Sequence, residues 1–210
     1  MRRRRRRFAI VLLTLPVLGA AALAAPAPIT IAAQVVQSTS NGSRMVRLTG
    51  QVANGNAGER VDVLVKECRS RFFRVVGGAQ TTTGGTYEAQ VYLDVRGTYV
   101  ARWRGSTSPG VTATPMLIVG AVQTPGTRIW KAFVSAWGSG ESFGGREVVL
   151  QRLADSGWVT VRRGKLRREE FSNFSTVFKI PTRGLTMRIL APAKTARPCF
   201  RAGVSEVFQS

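Results

Sequence analysis

Histidine is absent from the 210-residue chain, and that gap removes more chemistry than any other. Without imidazole there is no Ser-His or Cys-His dyad, no histidine metal site and no side chain that ordinarily titrates near neutrality. Acids are scarce too, 11 against 31 basic residues, for a formal charge of +20. They are dispersed: Glu59, Asp62, Glu67, Glu88 and Asp94 in the first half, Glu141, Glu147, Asp155, Glu169, Glu170 and Glu206 in the second. A carboxylate pair working as in a glycosidase is the one catalytic arrangement left open. The adjacent Glu169-Glu170, however, stand in "LRREEF", where they offset neighbouring arginines. No loop has calcium-site spacing. The glycine-rich "GSGESFGGR" (Gly138 to Arg146) lacks the Lys-Ser/Thr of a phosphate-binding loop and reads as a connection between strands. No catalytic residue, cofactor or metal is assigned, and the expectation is a chain that is not an enzyme.

Sustained apolar spacing of helical period is missing as well. What is present begins with "MRRRRRR" and the apolar run from Phe8 to Ala25, a charged and then an apolar region of signal-peptide length. Ala22-Leu23-Ala24 supplies a small-x-small cleavage pattern, so residues 1–24 are expected to be a cleaved signal peptide and the protein secreted or envelope-associated. An uncleaved N-terminal anchor is the alternative, and the export route stays open. Cleavage would remove six arginines and leave 25 basic against 11 acidic side chains, still a net +14.

Downstream, short alternating runs sit between turns rich in Gly, Ser, Thr and Asn. "GERVDVLVKE" alternates through Val61, Val63 and Val65, and "TYEAQVYL" puts Tyr87, Ala89, Val91 and Leu93 on one face. Such runs are β-strands with one face buried, so the fold class is all-β. The second half echoes the first. Gly58-Glu59-Arg60-Val61 matches Gly145-Arg146-Glu147-Val148 at a spacing of 87, and Phe72-Phe73-Arg74 matches Trp158-Val159-Thr160 at 86. "TYEAQVYL" matches "FSTVFKIP", and "TYVARW" matches "TMRILA", both at 88. Near-constant spacing indicates two copies of one unit. The expected division is a linker and first strand over 25–43, one repeat over 44–120 and a second over 121–210. Phe72, Phe73, Trp103, Trp130 and Trp158 are expected in the cores. In "GTYVARWRGS", Tyr99 and Trp103 should face inward while Arg102 and Arg104 face water.

Some seven short strands per copy, with Gly97-Thr98-Tyr99 ahead of a penultimate strand, resemble tandem immunoglobulin-like or fibronectin-type β-sandwiches. The Gly-x-Tyr placement is similar to a tyrosine corner, which implies a Tyr99 hydroxyl capping backbone. "GERVDV", "TYVARW", "WVTV" and "PCFRAGVS" together resemble secreted bacterial proteins with such repeats and no assigned activity. The fold implies a structural or adhesive role and nothing more specific.

Cys68 and Cys199 are the only cysteines, one in each repeat at non-equivalent positions. In an oxidising compartment an even count favours a disulfide. Paired within one chain, they would staple the repeats together; separate thiols or an intermolecular bridge are the alternatives. Charge supplies the remaining clue. "VRRGKLRR" holds Arg162, Arg163, Lys165, Arg167 and Arg168 as a candidate polyanion-binding loop, with smaller clusters at Arg69, Arg71 and Arg74 and at Arg102 and Arg104. For an exported protein the partner is an anionic envelope polymer, a membrane surface or another surface protein rather than nucleic acid. Arginine on an exposed strand also serves simply to keep an edge soluble.

Overall fold

In the computed structural model, which describes residues 28–37, 44–135, 140–169 and 173–210, extended backbone dominates. The leader expected over residues 1–24 lies outside the described residues, as does Glu170. The first half forms β1 (Ala32–Gln37), β2 (Arg44–Gln51), β3 (Arg60–Glu67), β4 (Arg74–Gln80), β5 (Thr86–Tyr92), β6 (Gly97–Trp103), β7 (Ser106–Thr107) and β8 (Val111–Ala113). One sheet runs β1-β2-β5; the other runs β4-β3-β6, with β7 and β8 both on β6. The second half forms β9 (Ile118–Gln123), β10 (Ile129–Ser135), β11 (Glu147–Ala154), β12 (Gly157–Lys165), β13 (Arg167–Arg168), β14 (Asn173–Lys179), β15 (Thr186–Ala191), a single helical turn α1 (Ala193–Ala196), β16 (Gly203–Val204) and β17 (Phe208–Gln209). Its sheets run β13-β14-β10-β9 and β12-β11-β15, with β16 and β17 on β15. The order of the first half thus recurs, with β13 and the α1 turn added. All named pairings are antiparallel, and the chain is two tandem immunoglobulin-like β-sandwiches.

Alternation explains the layering. Val61, Val63 and Val65 of β3 are buried while Arg60 and Lys66 are exposed, and on β5 Tyr87, Ala89 and Val91 are buried between exposed neighbours. Val46, Leu48, Val63, Val91, Leu93 and Tyr99 form one cluster, and Ile29, Val52, Val61, Tyr87, Ala101 and Trp103 extend it. Val134, Phe143, Leu150, Phe174, Phe178 and Ile189 belong to the core of the second half. Val95, from the turn between β5 and β6, buries its side chain in that second core. The halves therefore share apolar contact as well as chain.

Two devices repeat. The β3–β4 ladder shifts register between Val63 and Leu64, leaving Val76 unpaired; the β11–β12 ladder shifts between Leu150 and Gln151, leaving Val161 unpaired. These bulges lie 87 residues apart on the inner strands, and each bends an edge strand as bulges do. Secondly, Ser108 and Ser205 each grip the last long strand of their half, bonding Ala101 and Ile189 respectively. By inward facing, β5 and β14 align at 87 rather than 88, with Tyr87 opposite Phe174 in the repeat.

Several expectations are corrected. Phe72 is 80% exposed and Phe73 41%, and Trp158 is half-buried on an outer face under the Arg188 guanidinium, 4.2 Å from its ring. Trp103 and Trp130 do lie in the cores. Tyr99 is buried, yet the hydroxyl that caps backbone belongs to Tyr87, which donates to the Thr30 carbonyl at 2.5 Å. Gly50 is what lets that bond form, because a Cβ there would stand 2.1 Å from the Thr30 oxygen. The supposed basic loop is strand: Arg162, Arg163 and Lys165 lie on β12, Arg167 and Arg168 on β13. Among the described residues no helix is long and apolar enough to cross a membrane.

Candidate functional site

Leu166 explains how the basic run is built. It is 2% exposed and sits where the chain leaves one sheet for the other, held by its N–H to the Arg146 carbonyl and by the Gly145 N–H to its own carbonyl, both 2.8 Å. The five flanking cations are all exposed, but they do not converge. Register places Arg163 and Lys165 in outward rows with Val149 and Glu147, while Arg162 pairs with the inward-row Leu150. Across the edge, Arg167 pairs with Ser175 and Arg168 with the inward-row Phe174. The charges therefore spread over two outer faces and the seam between them. Arg163 donates to Glu147 at 2.8 Å; the other four have no ion pair among the described residues. In the Arg102–Arg104 cluster Arg102 pairs with Asp62 at 3.3 Å and Arg104 with Glu59 at 2.5 Å, so both face water with their charge met.

The joint between the sandwiches gathers more. Cys68, just past β3, is bonded to Cys199, which lies between α1 and β16, across 131 positions of sequence. Backbone reinforces the link: the Cys68 N–H donates to Arg96 O at 2.8 Å, and the Arg96 N–H to Cys199 O at 2.9 Å. The linker is pinned as well, through Leu117 N–H to Arg201 O at 3.0 Å and Arg201 N–H to Pro115 O at 2.8 Å. Gly203 must be glycine-sized, since a Cβ would fall 1.9 Å from the Leu117 oxygen.

Beside the disulfide, the Glu141 side chain is 4% exposed. It is held by Arg69 from the first half at 3.0 Å and by Arg146 from the second at 3.5 Å, and it lies 3.1 Å from Cys199 Sγ. Arg146 also donates to the Thr195 and Arg197 carbonyls at 2.7 and 2.9 Å and stacks on Phe143, 4.7 Å from the ring centre. A buried carboxylate requires such partners. Cys68, Cys199 and Glu141 lie within 4.8 Å of one another; with the sulfurs bonded to each other, no thiolate is available to ligate a metal.

Around this joint opens a cleft in two lobes that share Arg96 and Pro198. One, of about 310 Å³, is lined by Lys66, Arg69, Ser70 and Thr98; the other, of about 500 Å³, by Thr112, Thr114 and Arg197. The Thr98 and Thr112 hydroxyls, 3.3 Å apart, connect the lobes. A smaller hollow of about 240 Å³ continues along Thr112 and Thr114 to Arg201. Of these cations, only Arg69 belonged to a basic cluster recognisable along the chain. The cleft is assembled from residues between 66 and 201 and has no local signature; the cysteine pair was the one signal that pointed to it.

No protein-family model matches the chain, and no curated protein does. Among solved structures it is similar to a tetra-tandem repeat in the extending region of a large adhesion protein (13% identity, TM-score 0.38, covering 88% of this chain and 49% of that one). It is also similar to the chicken interferon gamma receptor alpha chain (11% identity, TM-score 0.36, covering 88% and 98%). The chain spans about half the length of the first. These likenesses are too distant to carry function, and the fold assignment rests on the strand order.

Proposed function

We propose that the chain is an exported, non-catalytic pair of β-sandwiches acting as a structural or adhesive element of the cell envelope. The observation that supports this most is the covalent closure of the joint by Cys68–Cys199. Such a bond persists in oxidising compartments, in keeping with a leader over residues 1–24. It also holds the two sandwiches to one geometry, which a module that bears load or presents a surface requires. In this reading residues 44–120 and 121–210 are the repeats. Fractionation of producing cells with mass spectrometry of the chain tests the reading. A chain starting near residue 25, cysteines bridged, in the envelope fraction is expected; a full-length cytoplasmic chain with two thiols overturns it.

A second reading, capture of an anionic envelope polymer or membrane surface, is favoured by the surface cations that lack a counter-charge. Retention of the oxidised protein on purified envelope fractions across a salt series checks it. Saturable retention that survives ~150 mM salt exceeds the screening expected for loose attraction; retention that vanishes with salt for every polymer tried removes this reading.

A further inference from the structure

We propose that the joint cleft, rather than the Arg162–Arg168 edge, is a binding site for a linear phosphate-bearing polymer; this rests on the polymer-capture reading above. The first argument is charge. Acids beside the cleft are already engaged, Glu67 by Arg74 and Glu141 by Arg69 and Arg146. Arg96 and Arg197 are exposed and carry no side-chain ion pair among the described residues. A concave wall of unmatched cations focuses positive potential in a way that the splayed edge does not. Arg163, at that edge, is in addition neutralised by Glu147.

The second argument is preorganisation. Arg96 is fixed through both its backbone groups to the two disulfide-bonded residues, by bonds of 2.8 and 2.9 Å. Arg197 is fixed by its N–H to Ala193 O at 2.9 Å and by the Arg146 donor on its own carbonyl. Cations whose backbone is anchored to the covalent joint lose less chain freedom on binding than cations on an unanchored segment.

Ligand class follows from the donors. Guanidinium forks beside the Thr98 and Thr112 hydroxyls match phosphate oxygens in shape. Among the described residues Phe200 is the one aromatic on the lining and is 4% exposed, so the cleft wall itself presents no ring on which a base could stack. Two contiguous lobes on either side of Arg96 suit successive anionic groups of one chain better than a single enclosed ion.

The experiment uses the oxidised mature protein with long-chain inorganic polyphosphate as the probe, and orthophosphate, polyglutamate and single-stranded DNA as competitors, at ~150 mM salt. R96E/R197E is compared with R162E/R167E, and R96Q/R197Q stands in should the reversed charges prevent folding. Saturable polyphosphate binding is expected, weakened at least about tenfold by the cleft variants and by less than about twofold by the edge variant. Equal loss in the edge variant, equal affinity for polyglutamate, preference for DNA, or no saturable binding each overturns the proposal. Retention on envelope fractions is measured in the same buffers. Envelope retention without polyphosphate binding sinks the cleft and leaves polymer capture standing; loss of both removes the two together.

Discussion

Ser108 and Ser205 show what one hydroxyl does in this fold. Each accepts a backbone N–H from the strand it faces, Ala101 or Ile189, at 2.9 Å, and donates to the next carbonyl in its own segment, Pro109 O at 2.9 Å or Glu206 O at 2.7 Å. Each serine N–H in turn donates to the carbonyl of that same partner at 2.9 Å. Serine is small enough to be buried there and is both donor and acceptor. Replacing Ser108 or Ser205 by Ala strands a buried N–H, so each substitution is expected to cost about 1–3 kcal/mol in urea unfolding. The double variant should come close to the sum, because the sites sit in separate cores; losses below about 0.5 kcal/mol would contradict the role. Carboxylates set the acid limit. Glu59 is held below the usual carboxylate range by the Trp103 indole N–H and by Arg104, and Asp62 by Arg60 and Arg102. Glu147 is lowered by Lys194 and Arg163, and Glu169 by Lys131 and Ser175. A depressed folded pKa contributes stability that is present above the unfolded value, about 4.3 for Glu, and is lost as pH falls through the folded one. Tm should therefore be flat near neutrality and fall below the ordinary carboxylate range. E59Q should lower Tm at neutral pH and shrink that acid fall; an unchanged acid slope counts against it. At the alkaline end burial pushes Tyr99 up to about 12 and Tyr87 higher still. Their raised values mean stability is lost as pH climbs past ordinary tyrosine ionisation.

At the scale of elements, alternation carried most of the fold. Every strand quoted from the sequence is a strand in the structure, and the repeat follows from spacing because each unit needs the same strand lengths to bury its faces. The misplacements have physical causes. Phe72 and Phe73 precede β4, where Phe73 lies beside Lys66 at 5.4 Å from ring centre to ammonium, so aromatic character alone did not report burial. Trp158 was matched to Phe72 by repeat spacing, and that position is outside the core in both copies, so the repeat carried one misplacement into the other. The basic run looked like a loop because its one buried residue, Leu166, is too short a signal to mark a change of sheet. What the run does at the seam is keep two edge strands charged and unattractive to further pairing. The joint cleft was legible only through its cysteine pair, since Arg96 and Arg197 stand more than a hundred positions apart and only the tertiary fold brings them to one wall.

At the scale of the whole molecule, two locks hold the joint, one covalent and one ionic, and they touch: the Glu141 carboxylate lies 3.1 Å from Cys199 Sγ. Closing a loop of this length removes on the order of 4–5 kcal/mol of unfolded-chain entropy in the chain-entropy model. Glu141, buried and shared between Arg69 and Arg146, adds a bond that is costly to half-remove, because a guanidinium would lose its counter-charge at the boundary. With both locks intact the sandwiches should unfold in one calorimetric transition, the shared burial of Val95 coupling their cores. C68S/C199S should lower stability and split that transition in two. E141Q should lower Tm with the disulfide retained, by an amount that differs between the bridged and unbridged backgrounds because the groups are in contact. A split transition in the oxidised wild type, or strictly additive effects of the two changes, would mean that the halves are merely tethered. Coincident loss of coupling and of polyphosphate affinity in C68S/C199S would tie the geometry of the joint to the cleft that it frames.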